Sequence, residues 1–269
     1  MARDEPVEHL NSLPVAALAG IQIRYTGQRL SQRDADVFLH LLARANAVPL
    51  GQPVPFTARS LLLDLGWDTN SRGYVRLRDS VLKLKASAVQ CEWTAGRDKR
   101  LAFAGSLIAA FAWKDEAIGR TLREWTIRFD PHLIRIFDES SYSLVHLRAR
   151  RLLRNHELAK WLYAYLTVQP DGACALRARK VRELSGSKAK TLFGFRRTLR
   201  QALDVLVEQQ LIEDYAIDSN RDLVSFGALL PTGDGPRPVR PVPPAAAARD
   251  GARLRLHITR SVAQLKPVQ

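Results

Sequence analysis

The sequence predicts an α+β, helix-rich protein of two tandem winged-helix (helix-turn-helix) domains, related by an internal pseudo-repeat and followed by an extended C-terminal tail. Three observations lead there. Three helical segments followed by a strand–turn–strand pattern occur twice, about 120 residues apart. A glycine, Gly66 and then Gly186, closes the second helix of each copy at the same offset. After Gly233 the chain becomes rich in proline and arginine and has no apolar periodicity. The boundaries drawn on this basis are 1–145 for the N-terminal winged-helix domain, 146–228 for the C-terminal one and 229–269 for the linker and basic tail.

In the first copy, Val37, Phe38, Leu41, Leu42 and Ala45 recur at three- and four-residue steps, and Ser31 stands where a cap belongs, so a helix begins there. Pro49 to Pro55 reads as a connection. Thr57 caps a second helix from Ala58 to Leu65, ended by Gly66. A turn over Trp67 to Asn70 leads into a third helix from Ser71 to Ala86, with Tyr74, Leu77, Val81 and Leu84 as its stripe. Val89 to Trp93 alternates as a strand does, Ala95 to Lys99 reads as a turn, and Leu101 to Ala104 reads as the return strand. Between the copies, Ser106 to Trp113 is apolar, Trp125 to Phe129 reads as a strand and Pro131 as the start of a helix. These elements are expected to extend the first domain's sheet.

In the second copy, Leu158, Trp161, Leu162 and Tyr165 stand in the places of Phe38, Leu41, Leu42 and Ala45. Arg179, Val181 and Gly186 match Arg59, Leu61 and Gly66. Leu192, Phe195, Leu199, Leu203 and Leu206 form the stripe of another third helix. Leu211 to Tyr215, Ser219 to Asp222 and Leu223 to Phe226 repeat strand, turn and strand. In the tail, Pro236, Pro238, Pro241, Pro243 and Pro244 describe a stiff linker, and Arg253 to Arg260 a loose basic end.

Charge narrows the function. Lys and Arg number 41 against 27 Asp and Glu, a net of +14, with a pI near 10.4. The excess is concentrated: residues 148–201 hold 14 basic and 3 acidic groups, a net of +11, whereas residues 1–147 net only +3 and residues 202–227 net −5. Such a block suits a surface that tracks phosphates, because each neutralised phosphate releases a condensed counterion. No apolar run approaches the roughly 20 residues of a membrane span. The acidic residues among the first ten are unlike a secretory signal, so the expected location is cytoplasmic, with no membrane partner.

Signals for catalysis are weak, and no enzyme activity, cofactor, metal or catalytic residue is expected. Gly-x-x-x-x-Gly-Lys does not occur, and the Gly-x-Gly at Gly233 and Gly235 lies in the proline-rich linker. The six histidines are scattered without metal spacing, and His146 with Arg148 is a thin basis for a recombinase. Cys91 and Cys174 are too few for a disulfide scaffold, and Cys91 falls in a strand as an inert buried thiol would. Asp34 with Asp36, and Asp115 with Glu116, read as solvated charges.

Double-stranded DNA is the partner that the second copy points to. With Leu192, Phe195 and Leu199 turned inward, its third helix presents Phe193, Arg196, Arg197 and Arg200 outward, preceded by Lys188, Lys190 and Thr191. The N-terminal part of this helix is what reaches base edges in a helix-turn-helix, and Arg can pair with guanine O6 and N7. Arg177, Arg179, Lys180 and Arg182 flank the preceding helix and are placed for the phosphate backbone. The first copy offers Arg72, Arg76 and Lys83, diluted by Asp68 and Asp79, and so weaker contact or self-association.

Several runs together resemble the TrfA type of plasmid replication initiator over about residues 10 to 227. They are Val48 to Val54, Leu61 to Trp67, Tyr74 to Ser80, Gly105 to Trp113, Leu147 to Asn155, and Leu158 to Leu162. The resemblance implies two winged-helix domains that bind directly repeated origin sequences (iterons), promote melting of an adjacent AT-rich region, and help recruit the host's replicative helicase and bacterial initiator protein. It also implies contact with single-stranded origin DNA, self-association into dimers and control of plasmid copy number. On that template Lys188, Lys190, Arg196, Arg197 and Arg200 fall on the main recognition helix, and Arg72 and Arg76 on the lesser one. The Gln-Leu-x-Leu-Phe pattern by which some relatives bind the sliding clamp is not found. The residues alone also fit a winged-helix repressor on a palindromic operator and, less well, a replication or recombination nuclease.

Overall fold

The computed structural model describes residues 8–18, 21–49, 51–95, 99–114, 121–131, 145–167 and 174–230. The chain divides into two compact units, Met1–Glu139 and Ser140–Gln269. The helix expected from Pro131, the acidic pair Asp115 and Glu116, and the whole proline-rich tail lie outside the described residues.

The first unit runs β1 (His9–Leu18), β2 (Ile21–Gln28), α1 (Gln32–Ala45), β3 (Val54–Phe56), α2 (Ala58–Leu65), α3 (Ser71–Lys85), β4 (Ala88–Ala95), β5 (Lys99–Gly105), β6 (Ala110–Lys114) and β7 (Thr121–Arg128). The local chemistry of each helix end explains its limits. Ser31 and Asp34 form a reciprocal capping box at α1: the Ser31 hydroxyl accepts from the Asp34 N–H at 3.3 Å, and the Asp34 carboxylate accepts from the Ser31 N–H at 2.9 Å. Thr57 caps α2, and Gly66 ends it at φ 68°, a conformation that costs a glycine little. Asn70 caps α3 by accepting from the Gly73 N–H at 2.9 Å. Gly73 is there because a Cβ would lie 1.9 Å from the Asp68 carbonyl oxygen; the turn between α2 and α3 closes directly over it.

The three helices bury Val37, Leu41, Leu61, Leu62, Leu77, Val81 and Leu84 against Phe56, Ile108, Trp125, Ile127 and Phe129. Each such side chain withdrawn from water stabilises the unit by roughly 1.5–3 kcal/mol before entropy is counted. Two separate sheets flank them. The hairpin β4–β5 expected from the sequence is present, but β1 and β2 precede it in one antiparallel sheet of order β1-β2-β4-β5. The elements after Gly105 do not extend that sheet, contrary to expectation. They form a second sheet of order β3-β7-β6, in which β7 pairs with Val54–Phe56. The proline-flanked segment expected to be a plain connection thus supplies a strand. Asp34 and Asp36 are buried, not solvated: Asp34 accepts from the Ser80 hydroxyl and lies 3.9 Å from the Lys83 ammonium.

The second unit runs α4 (Leu147–Leu152), α5 (Glu157–Thr167), β8 (Cys174–Arg177), α6 (Ala178–Leu184), α7 (Leu192–Glu208), β9 (Tyr215–Asp218) and β10 (Leu223–Phe226). Its core joins Phe195, Leu199, Ala202, Leu203 and Leu206 of α7 to Leu162 and Leu166 of α5, Val181 of α6, and Val224 and Phe226 of β10. Gly186 takes φ 62° just beyond α6, as Gly66 does beyond α2. The sheet order is β8-β10-β9, antiparallel throughout. The strand expected over Leu211 to Tyr215 begins only at Tyr215. Leu211 and Ile212 are instead buried beneath α7, and Ile212 bridges Leu229. Helices α5, α6 and α7 with a β hairpin packed against the last make this unit a winged helix, and the repeat of helices, glycine and hairpin makes the chain a tandem of two.

Candidate nucleic-acid interface

Helix α7 is positioned by its apolar stripe. Phe195, Leu199 and Leu203 are fully or nearly fully buried, so at 100° per residue the stripe through Phe193, Arg197 and Arg200 is turned to solvent. Phe193 is 80% exposed. Thr191 is the N-cap, its hydroxyl accepting from the Gly194 N–H at 3.1 Å. Lys188 and Lys190 are exposed in the loop before it, where Arg182 donates to the Lys190 carbonyl at 3.5 Å. Arg177 stands at the N-cap position of α6, at the end of β8, without a side-chain capping bond, and Arg179 is exposed as the second residue of the helix; Lys180 pairs with Glu183 at 3.0 Å. The structure therefore brings nine sequence-predicted cations and polar groups onto one unit, around the N-terminal half of α7 and the start of α6.

Arg196 differs from the outward placement expected of it. It is half-buried, with its guanidinium bound to Asp222 and its Nε–H buried without a partner. Asp222 sits in the turn between β9 and β10 at φ 54° and serves three other groups at once. Its carboxylate accepts from Arg196 and from the Arg179 N–H at 3.3 Å, and its carbonyl accepts from the Ala178 N–H at 2.9 Å. One aspartate thus ties the wing to the starts of both α6 and α7. A second tie joins the hydroxyl of Tyr215 in β9 to Asp204 of α7. Burial, the hydrogen bond to Asp204 and that carboxylate's charge push the Tyr215 phenol up to about 12, against the opposing field of Arg200.

The wing turn also carries Arg221, which the sequence reading passed over. It is exposed, and the Asn220 and Arg221 N–H groups donate to Asp218 at 2.9 and 3.1 Å, setting the turn. Its signal was present: Arg221 is the single cation of the otherwise acidic segment 202–227.

In the first unit Arg72, Arg76 and Lys83 line one groove along α3 with Trp67 and Asp79. Arg76 lies over the Trp67 ring at 5.7 Å, and Lys83 faces buried Asp34. Among the described residues no cluster of histidine, cysteine and carboxylate could hold a metal, and no helix is long and apolar enough to cross a membrane. Cys91 is buried, which raises its thiol pKa.

Comparison with known proteins bears on the family and the fold. The model of the TrfA protein family matches residues 10–226, from the start of β1 to the last residue of β10. The plasmid replication initiator protein TrfA of Escherichia coli is 26% identical over 205 residues, which are 76% of this chain and 51% of that protein. The chain thus spans about half the length of that curated relative. Two crystal structures of domains 2 and 3 of RctB share the fold. One has a TM-score of 0.57 at 12% identity, covering 82% of this chain and 91% of RctB's, and the other, a selenomethionine derivative, 0.60 at 13%, covering 86% and 95%. With the family's match running across both winged-helix units, the chain belongs to the TrfA family.

Proposed function

We propose that the protein is a non-enzymatic initiator of plasmid replication that recognises repeated origin DNA, with α7 as its principal reading helix. The observation that carries the reading is the solvent-facing stripe of α7: Arg197 and Arg200 stand exposed on a helix whose opposite face is locked into the core. Inserted in the major groove, its N-terminal residues meet base edges, and Arg197 is the candidate for paired hydrogen bonds to guanine. Arg177, Arg179, Lys188 and Lys190 meet phosphates on either side and Arg221 extends the wing, whereas Arg196 holds the wing in place. The first unit, with Arg76, Arg78 and Lys83 of α3 already engaged, adds the weaker contact through Arg72. Origin melting, recruitment of the host helicase and initiator, dimerisation and copy-number control are proposed with the family, whose curated relative is named an initiator.

The test is nuclease footprinting of the full chain across its own plasmid or gene neighbourhood. Several protected blocks in direct repeat, near whole helical turns apart and beside an AT-rich stretch, are expected. A single protected inverted repeat over a promoter would make the protein a repressor. Nicking of supercoiled origin DNA in the presence of a divalent metal would overturn the non-enzymatic assignment.

A further inference from the structure

Phe193 is the most exposed large apolar side chain among the described residues, and it stands where the interface is otherwise cationic. It is the second residue of α7, one helical turn before Arg197 on the same solvent-facing stripe, between capping Thr191 and Gly194. Neighbouring Leu192 and Phe195 turn into the core, so the outward position of Phe193 follows from the helix's own periodicity. Its ring contributes nothing to that core, and a bare aromatic in water is unfavourable. The apolar feature of the major groove is the C5-methyl of thymine, and phenylalanine is among the side chains that contact it.

We infer that Phe193 is a specificity-determining residue that reads a thymine methyl group in the origin site. The inference rests on the proposal that α7 enters the major groove. A spacing follows from it. Residues four apart on a helix rise by about 6 Å, and base pairs stack about 3.4 Å apart, so for a helix inclined in the groove the thymine lies within about two base pairs of the guanine read by Arg197. Hydrogen bonds from arginine and apolar contact from phenylalanine would then specify adjacent parts of one repeat.

The experiment uses the full chain and a duplex selected by it from a random-sequence pool. Each thymine of that duplex is replaced singly by deoxyuridine, which removes only the methyl. Wild-type protein is expected to lose about fourfold in affinity at one or two thymines, the effect of withdrawing one buried methyl group. Phe193→Ala is expected to bind more weakly yet to be indifferent to uracil there, while Phe193→Leu retains part of the discrimination. Because the side chain is exposed, both variants should match wild type in unfolding midpoint. Equal sensitivity of Phe193→Ala and wild type at every position overturns the inference, as does a wild type indifferent to all the replacements, and in either case the DNA-binding function stands. Failure to enrich any sequence overturns that function and the inference with it.

Discussion

Asp222 offers the sharpest test of how the wing is held. Removing its carboxylate with Asp222→Ala deletes the ion pair to Arg196, a charge-assisted bond of about 1.5–3 kcal/mol. It also deletes the bond from the Arg179 N–H, about 0.5–1.5 kcal/mol net. The two side chains of the ion pair are only 26% and 22% exposed, so water replaces the lost partner incompletely. Alanine must also adopt φ 54°, which short polar residues tolerate better. The expected loss is about 2–4 kcal/mol for the second unit. Asp222→Asn keeps the shape and the backbone tolerance and should lose about 1 kcal/mol; Asp222→Gly relieves the backbone but keeps neither side-chain bond and should fall between. The assay is amide exchange under increasing urea on the full chain, read on peptides from 178 to 226 so that the two units are not confounded. Arg196→Ala combined with Asp222→Ala closes a double-mutant cycle, with a coupling of at least about 1 kcal/mol expected. A coupling near zero, or an Asp222→Gly variant as stable as wild type, would refute the clamp and leave a turn that merely needs a permissive residue.

Four further outcomes follow from the same geometry. Arg197→Ala should weaken binding to the preferred site by ~1–3 kcal/mol and relax base preference at one position, measured by fluorescence anisotropy on single-substituted duplexes. If about six phosphates are engaged, affinity for that site should fall roughly a thousandfold between 50 and 200 mM salt, and Lys188→Ala should flatten the slope by about one phosphate; a salt-independent affinity would remove the electrostatic basis of the interface. Gly73→Ala should destabilise the first unit by about 1–3 kcal/mol, because the Asp68 carbonyl must move, and a variant that melts like wild type would show the turn to be pliable. Tyr215 ionises at about 12 in the fold against an ordinary 10, so its protonated form is the one the fold favours. The stability it contributes is complete below pH 10 and is lost as pH rises through about 12, and Asp204→Asn should bring the late phenolate absorbance step to lower pH.

What the sequence made legible was local. Thr57, Gly66 and Gly186 act within a turn of the residues they cap, and the stripes of α3 and α7 repeat often enough to be read without knowing what they pack against. Hidden features were those whose cause lies far along the chain. Residues 21–28 form a strand because β4, some 65 residues later, supplies the backbone groups they pair with. Val54–Phe56 and Cys174–Arg177 are too short for alternation to register, and each exists through a partner strand across the unit. Asp34 looked solvated because Ser80 and Lys83, which justify its burial, come from another helix. Arg196 looked like a base reader because the residue that claims it is 26 positions away.

That last pair also eases a tension in the charge pattern. A segment of net −5 that begins within the C-terminal half of the proposed reading helix ought to repel a polyanion. Glu208, Glu213 and Asp214 stand exposed, whereas the other three acids are used internally: the Asp222 carboxylate is bound to Arg196 and the Arg179 amide, Asp204 to the Tyr215 hydroxyl, and Asp218 to the amides of the wing turn. Each fixes the wing against α7 or shapes its tip, and none stands as an isolated anion on the stripe of Phe193, Arg197 and Arg200. In the first unit it is the cations that are engaged, Arg76 by Trp67, Arg78 by Asp79 and Lys83 by Asp34. The same helical scaffold therefore leaves Arg197 and Arg200 exposed on one third helix and holds Arg76, Arg78 and Lys83 in contacts on the other, an asymmetry that favours α7 as the proposed reading helix.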